Sequence, residues 1–213
     1  MSGPYVLYGT RGSGAAVVEA ALVLAQLPFR TVDAASWEPG PGLDALKQVN
    51  PLAQIPTLVM PDGAVMTESA AILIHLGLAH PASGLLPTDA AQRAQSIRGL
   101  VYIAANCYSA IGIIDYPERY CTNPGKQVRA RIIAGTRARL HAMWDAFADT
   151  FPAHPYLDGP QLGALDLLAA VVSKWAGTRQ HLASSRPAFS EHVQAVERDP
   201  RVAPVFARYW PPA

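Results

Sequence analysis

The run Asn50-Pro51-Leu52-Ala53-Gln54-Ile55-Pro56-Thr57-Leu58-Val59-Met60 leads into Pro61-Asp62-Gly63, then Ala64-Val65-Met66, then Thr67-Glu68-Ser69 and an apolar stretch. Thr57 to Met60 is short, apolar and rich in β-formers. Asp62-Gly63 is a tight-turn pair, and Ala64 to Met66 supplies the return strand. Glu68-Ser69 opens a helix carrying Ile72, Leu73 and Leu76, with the Ser69 hydroxyl as its cap. Proline cannot donate to a sheet, so Pro56 belongs at the first position of its strand. A cis Ile55–Pro56 bond would turn the Ile55 backbone groups outward, open to an extended peptide. The helix start at Ser69 offers free N–H groups and a positive dipole end to a carboxylate. The stretch thus reads as a backbone clamp beside an anion hole, or as a buried hairpin followed by an ordinary capped helix.

Upstream, Tyr5 to Tyr8 reads as a first strand, and Gly9-Thr10-Arg11-Gly12-Ser13-Gly14 as a loop of small and hydroxyl residues. Ala15 to Leu27 has a helical pattern with Val18, Leu22 and Leu24 among alanines, and Pro28 stops it. Phe29 to Val32 is a second strand, placed to run parallel to the first through a right-handed crossover. Residues 34 to 49 form a Pro/Gly loop ending in a short helix near Leu43 to Val49. The order β-α-β-α-β-β-α is that of a thioredoxin-like α/β layer.

Downstream, residues 81 to 88 read as a linker, and strand signals vanish after it. Ala90 to about Ile114 reads as one helix. Tyr116 to Pro124 reads as a loop, and Gly125 to Phe151 as a second long helix with Leu140, Met143, Trp144, Phe147 and Phe151 on one face. Leu165 to Trp175 is nearly all apolar and reads as a buried helix. Shorter helices follow around 187–198 and 201–209, before a Trp210-Pro211-Pro212 stop. The fold class is α/β plus all-α: a thioredoxin-like domain over 1–80, a linker over 81–88 and a helical domain over 89–213.

At 213 residues the chain can bury a real core, and half its residues are apolar. A formal net charge of +1 gives no electrostatic case for nucleic acid or an anionic membrane. No apolar run reads as long enough to span a bilayer, and no signal peptide is evident. Cys107 and Cys121 have no metal or redox spacing, which suits a reducing cytoplasm. The six histidines lack ligand spacing, so no metal site is expected. The basic run Lys126, Arg129, Arg131, Arg137 and Arg139 reads as a solvated helix face.

The nine residues from Asn50 to Leu58, followed by Glu68-Ser69-Ala70-Ala71-Ile72, resemble the glutathione-binding half of the glutathione transferase superfamily. The resemblance covers nearly the whole chain, strongly in the first third and loosely beyond. It implies a cis Pro56, an Ile55 backbone that pairs with the cysteinyl part of glutathione, and Glu68 and Ser69 holding its γ-glutamyl end. Gln54 matches a position that in several members contacts the ligand backbone. The glycyl carboxylate would take Lys47 or Gln48, between which the sequence does not choose. It further implies a bacterial-type cytosolic homodimer that conjugates glutathione, as co-substrate, to an apolar electrophile. The rival readings are a non-catalytic regulatory module that retains the fold, and a specialised glutathione-dependent isomerase, peroxidase or dehalogenase.

Only a thiolate reacts well, and a thiol with pKa near 8.5 is a few per cent ionised at neutral pH. The protein must favour the anion with a hydroxyl donor or with the dipole of its first helix. Ser13 is the leading candidate, because it opens that helix and Gly12-Ser13 resembles serine-type members; otherwise it is a plain helix cap. Thr10 is second and Tyr8 third. No cysteine lies in this loop, which argues against the cysteine-type thiol transferases. Arg11 reads as exposed or as bordering the second substrate. The electrophile is expected between this loop and the first long helix downstream, where Tyr102, Asn106 and Tyr108 either line the pocket or pack between helices. One departure stands out. The buried helix usually opens with Ser or Thr three residues before Asp, and here it opens with Gly163 before Asp166, leaving half of a capping box.

Overall fold

The computed structural model of the chain describes residues 3–123 and 125–211; Pro124 and Pro212, read above as loop and stop signals, lie outside them. The elements run β1 (Tyr5–Gly9), α1 (Ala15–Leu24), β2 (Phe29–Asp33), α2 (Pro41–Val49), β3 (Thr57–Val59), β4 (Val65–Thr67) and α3 (Ser69–Ala79). The helical region follows: α4 (Ala90–Tyr102), α5 (Ser109–Asp115), α6 (Lys126–Thr150), α7 (Ala164–Val172), α8 (Thr178–Ser185), α9 (Pro187–Arg198) and α10 (Ala203–Tyr209).

The sheet order is β2-β1-β3-β4. β1 pairs in parallel with β2 and antiparallel with β3, and β3 pairs antiparallel with β4. The hairpin closes where expected: Gly63 takes the left-handed φ of 90°, its N–H donates to Met60 at 2.9 Å, and Asp62 Oδ1 accepts from Ala64 N at 2.9 Å. The left-handed conformation is one that glycine adopts at little cost.

Strand alternation sorts β1 onto two faces. Tyr5 and Leu7 join the main core with α1 and α3. Val6 and Tyr8 turn to the other side, against Ala34 and Leu46 under α2. α1 is buried all round from Ala15 to Leu22, because it is wedged between the sheet and the helical region. Its alanines permit that close approach. α7 is buried at all nine positions and forms the centre of the helical region. An all-apolar helix is stable only in such a place. Trp144 and Phe147 of α6 are fully buried beside it, each contributing roughly 2–3 kcal/mol.

The stretch read as one helix is continuous from Ala90 to Asp115, but it widens into a π segment at Ile103–Tyr108 between α4 and α5. Its 26 residues are also long and apolar enough to cross a bilayer, which corrects the sequence reading. Its apolar side chains Leu100, Ile103, Cys107, Ala110 and Ile111 are instead buried in the core. Burial pushes the Cys107 thiol up to about 12, so it stays protonated and inert.

The half-lost capping box of α7 is compensated locally. Asp166 Oδ2 accepts from Gly163 N at 3.0 Å, and Oδ1 accepts from Leu157 N at 2.9 Å and meets His192 Nε2 at 2.7 Å. The missing hydroxyl is replaced from outside the helix: Asp158 Oδ2 accepts from Leu165 N at 3.3 Å. A Cβ on Gly163 would lie 2.9 Å from that same oxygen, so glycine makes room for the substitute cap.

Candidate functional site

A cleft of about 420 Å³ opens between the sheet side and the helical region, of a size that suits a small ligand. Ser36, Gln54, Ile55, Pro56, Thr67, Glu68 and Ser69 line one wall, and Ala104, Tyr108, Ser109 and Tyr116 line the other. The five residues carried over for ligand binding, Gln54, Ile55, Pro56, Glu68 and Ser69, thus share one wall.

The Ile55–Pro56 bond is cis. Among the described residues none hydrogen-bonds to the Ile55 backbone. A side-chain network fixes the loop behind it. Asn50, 4% exposed, donates through Nδ2 to the Gln54 carbonyl at 3.2 Å and to Thr57 Oγ1 at 3.0 Å. Thr57 donates its own hydroxyl to the same carbonyl at 2.7 Å, and Asn50 Oδ1 accepts from Leu52 N at 3.1 Å. Buried polar groups so satisfied hold one conformation. The positioning role of Asn50 and Thr57 went unassigned in the sequence, although a buried-loop Asn and Thr were the available signal.

Glu68 carries φ 65° and ψ 107°, a backbone that non-glycine residues avoid. It occupies the N-cap position of α3, and Ser69 is the first helical residue. No side chain caps the helix. This corrects the expectation of a Ser69 cap: the Ser69 hydroxyl, 5% exposed in residue terms, is not used on its own helix. The N–H groups of the first turn thus have no side-chain acceptor among the described residues, an arrangement that favours an anion.

The three candidates for thiol activation separate on geometry. Tyr8 is buried on the α2 face of the sheet, away from the cleft, because strand alternation sends it there. Thr10 and Arg11 line a different and smaller cavity of about 140 Å³, with Glu19, Asp33, Arg208 and Tyr209. Ser13 is 6% exposed. Its hydroxyl donates to the Thr10 carbonyl at 2.6 Å and accepts from Ala15 N at 3.3 Å and Thr10 N at 3.4 Å. These bonds make a local serine turn just before α1, whose N-cap position is Gly14 and carries no side-chain cap.

Tyr108 is the hydroxyl that enters the cleft beside this turn. Its Oη presses on Gly14, where any Cβ would collide with it. Burial, and after it the negative charges of Glu68 and Asp115, push the phenol up to about 12, while the Gly14 backbone opposes the shift. At neutral pH it is a hydrogen-bond donor. Tyr108 also stacks on Trp175 with ring centroids 5.6 Å apart and planes at 17°. Tyr102 and Asn106 were read with it as lining the pocket or packing between helices, and the second alternative holds for them. Tyr102 donates to the Met143 carbonyl at 3.0 Å, and Asn106 donates to the Tyr102 carbonyl at 3.1 Å, so neither lines the cleft. The π segment lies across these positions, a change of winding that a helical wheel does not reveal.

Lys47 and Gln48 are exposed on α2 and do not line the cleft; from that side only Ser36 does. Tyr116, with the Arg119 guanidinium 3.9 Å above its ring centroid, forms the far rim. Ser36, Ser109 and Tyr116 carried no sequence signal: Ser36 and Tyr116 lie in or beside loops without a motif, and Ser109 follows the π segment inside the long helix. Lys126, Arg129, Arg131, Arg137 and Arg139 are all exposed on α6. Among the described residues no group of three or more His, Cys, Asp or Glu is placed to hold a metal ion.

A family model for the glutathione S-transferase N-terminal domain matches residues 15–78. The GST-like protein YncG of Escherichia coli K12 is 30% identical over 203 residues, covering 95% of this chain and 97% of that protein. Among solved structures, a glutathione transferase homologue from Sulfitobacter with bound glutathione superposes with a TM-score of 0.81 at 24% identity, over 96% of this chain and 97% of that one. The nitrogen regulation fragment of the yeast prion protein Ure2p has the same fold, with a TM-score of 0.79 at 16% identity over 97% of each chain.

Proposed function

Because the chain belongs to the glutathione S-transferase superfamily, we propose that it binds glutathione in the cleft, lowers the pKa of its thiol and transfers it to an electrophilic small molecule. The open Ile55 backbone on the same wall as the unused helix start at Glu68-Ser69 carries this reading. The cysteinyl amide and carbonyl pair with Ile55, and the γ-glutamyl end rests at the start of α3, where Ser69 and Glu68 supply a hydroxyl and a carboxylate. Gln54 lies alongside the ligand backbone. The glycyl end has Ser36 within reach of the same wall.

The sulfur then lies toward the Gly12–Gly14 turn, at the dipole of α1 and under Tyr108. The protonated phenol donates a hydrogen bond to the thiolate, which is shorter and stronger than one to a neutral thiol. Ser13 ties Thr10 to the Ala15 amide and so fixes the turn that faces the sulfur; its own proton reaches the sulfur only if it leaves the Thr10 carbonyl. The electrophile lies against Ala104, Ser109 and Tyr116, a mixed rather than wholly apolar wall. The thiol proton passes to solvent before attack; the thiolate then forms a carbon–sulfur bond while the bond from that carbon to the leaving group breaks, and the leaving group departs as an anion, chloride for a chloronitrobenzene. The exposed apolar side chains of Val65, Leu78 and Val101 support a homodimer, and free Cys107 and Cys121 support a reducing, cytoplasmic setting.

A second reading is a glutathione-binding module without turnover. The observation that favours it is the Ser13 proton, held by the Thr10 carbonyl. Calorimetric titration with glutathione, followed by conjugation to an activated chloronitrobenzene, separates the readings. Binding with turnover supports the transferase. Binding without thiolate formation supports the module. No binding contradicts both.

A further inference from the structure

Helix α10 returns to the thiol end of the cleft and touches it on two sides. The Tyr209 carbonyl accepts from Gly12 N at 3.0 Å. The Tyr209 hydroxyl lies by Gly9, 3.6 Å from where a Cβ would stand, and faces Glu19. Glu19 is a carboxylate only 4% exposed in the middle of α1, and it is ion-paired with Arg208. A buried charge on an otherwise apolar helix is costly without its partner. Arg208 and Tyr209 therefore staple the end of β1, the loop after it and α1, at Gly9, Gly12 and Glu19.

The next residue reaches the other side. The Trp210 ring meets Trp175 edge-on, with centroids 6.2 Å apart and planes at 64°. Trp175 stacks on Tyr108. Lys174, 4.7 Å above the Trp210 ring and paired with Glu197 at 2.8 Å, holds this indole in place. Three consecutive residues thus back both groups assigned to the sulfur: Arg208 and Tyr209 hold α1 and the turn before it, and Trp210 backs Trp175, on which Tyr108 stacks.

We infer that Arg208, Tyr209 and Trp210 are positioning residues for the thiol subsite, setting the distance between the Gly12–Gly14 turn and Tyr108 Oη. The inference rests on the proposed glutathione reading. None of the three lines the cleft. The groups assigned to the peptide backbone and γ-glutamyl end of glutathione lie on the opposite wall. Loss of this staple therefore acts on the sulfur and not on the anchoring of the tripeptide.

The test compares wild type, Trp210→Ala, Trp210→Phe and Arg208→Gln by thiolate absorbance of bound glutathione across pH, with calorimetric affinity measured alongside. In Trp210→Ala the bound-thiol pKa rises toward the free value near 8.5 and any turnover falls by about ten- to a hundredfold. Affinity for the neutral-thiol form stays within about twofold, as for independent sites. Trp210→Phe restores most of the wild-type value, because an aromatic ring again backs Trp175. Arg208→Gln, at a side chain more than half exposed, keeps an amide donor for Glu19 at a cost in stability, shifts the thiol in the same direction and keeps the test open if Trp210→Ala does not fold. An unchanged thiol pKa in both Trp210→Ala and Arg208→Gln, with wild type showing a depressed one, overturns this inference alone. A wild type that binds no glutathione, or binds it with an unshifted thiol, overturns the transferase reading and this inference with it.

Discussion

The Tyr108 hydroxyl rests against the backbone of Gly14, joining the helical region to the first turn of α1 at the bottom of the cleft. Only glycine fits at that position. Gly14→Ala will displace the phenol while leaving Ser13 and the Ile55 clamp in place. Glutathione will still bind, with its thiol pKa moved up by about one unit and turnover reduced by on the order of 10²-fold, as when one preorganised donor is lost. Steady-state kinetics together with calorimetry checks this.

Glu68 holds a strained backbone next to the helix start it leaves uncapped. Strain of this kind costs about 1–3 kcal/mol and persists where the surroundings demand it. Glu68→Gly will relieve it, less the roughly 0.5–1 kcal/mol entropic penalty of glycine. The variant will melt higher in a thermal scan of the ligand-free protein. Its affinity for glutathione will fall by about tenfold, since a charge-assisted hydrogen bond is removed. Stability and affinity moving in opposite directions is the signature.

Asn50 holds the loop behind the clamp through two donated bonds. Asn50→Ala leaves the Gln54 carbonyl with Thr57 alone. We expect a loss of about 1–3 kcal/mol in denaturant unfolding. Affinity for glutathione will drop as well, because the Ile55 backbone is no longer fixed. An equal loss of stability with unchanged affinity would limit Asn50 to the fold.

Asp158 supplies pH dependence away from the cleft. Burial, then the neighbouring Asp166 charge, pushes its carboxyl up to about 7, against the opposing pull of Ser96 and the Leu165 amide. A carboxyl with a raised folded pKa stabilises the fold fully below the ordinary carboxylate range near 3.9 and loses that contribution as pH rises through about 7. Asp158→Asn keeps an oxygen for Leu165 N and cannot ionise. The difference in melting temperature, variant minus wild type, will grow between pH 4 and 7 and level off above. A flat difference would place Asp158 in the ordinary range.

The hairpin, the parallel crossover and the buried α7 were legible because each has a local cause: Asp62-Gly63, the stop at Pro28, an unbroken apolar run. The five residues proposed to hold the ligand stand in contiguous motifs, and they share one wall of the cleft. What escaped was non-local. Tyr8 was eligible by its place in the chain and removed by the face it occupies, which only the pairing of α2 against the sheet decides. Tyr108 was one of three polar residues on a helix, and the π segment together with Trp175 determines that it alone meets Gly14. Glu19 carried no sequence signal; its burial beside Arg208 depends on α10, from the far end of the described chain. The Asp158 cap of α7 likewise crosses a loop that carries no motif.

The most direct measurement is the pH titration of thiolate absorbance for glutathione bound to wild type, Tyr108→Phe and Ser13→Ala. The account predicts a bound-thiol pKa well below 8.5 in wild type, a return toward about 8.5 in Tyr108→Phe, and a smaller rise in Ser13→Ala that follows the loss of its bonds within the turn before α1. A thiol pKa depressed equally in wild type and Tyr108→Phe would contradict it.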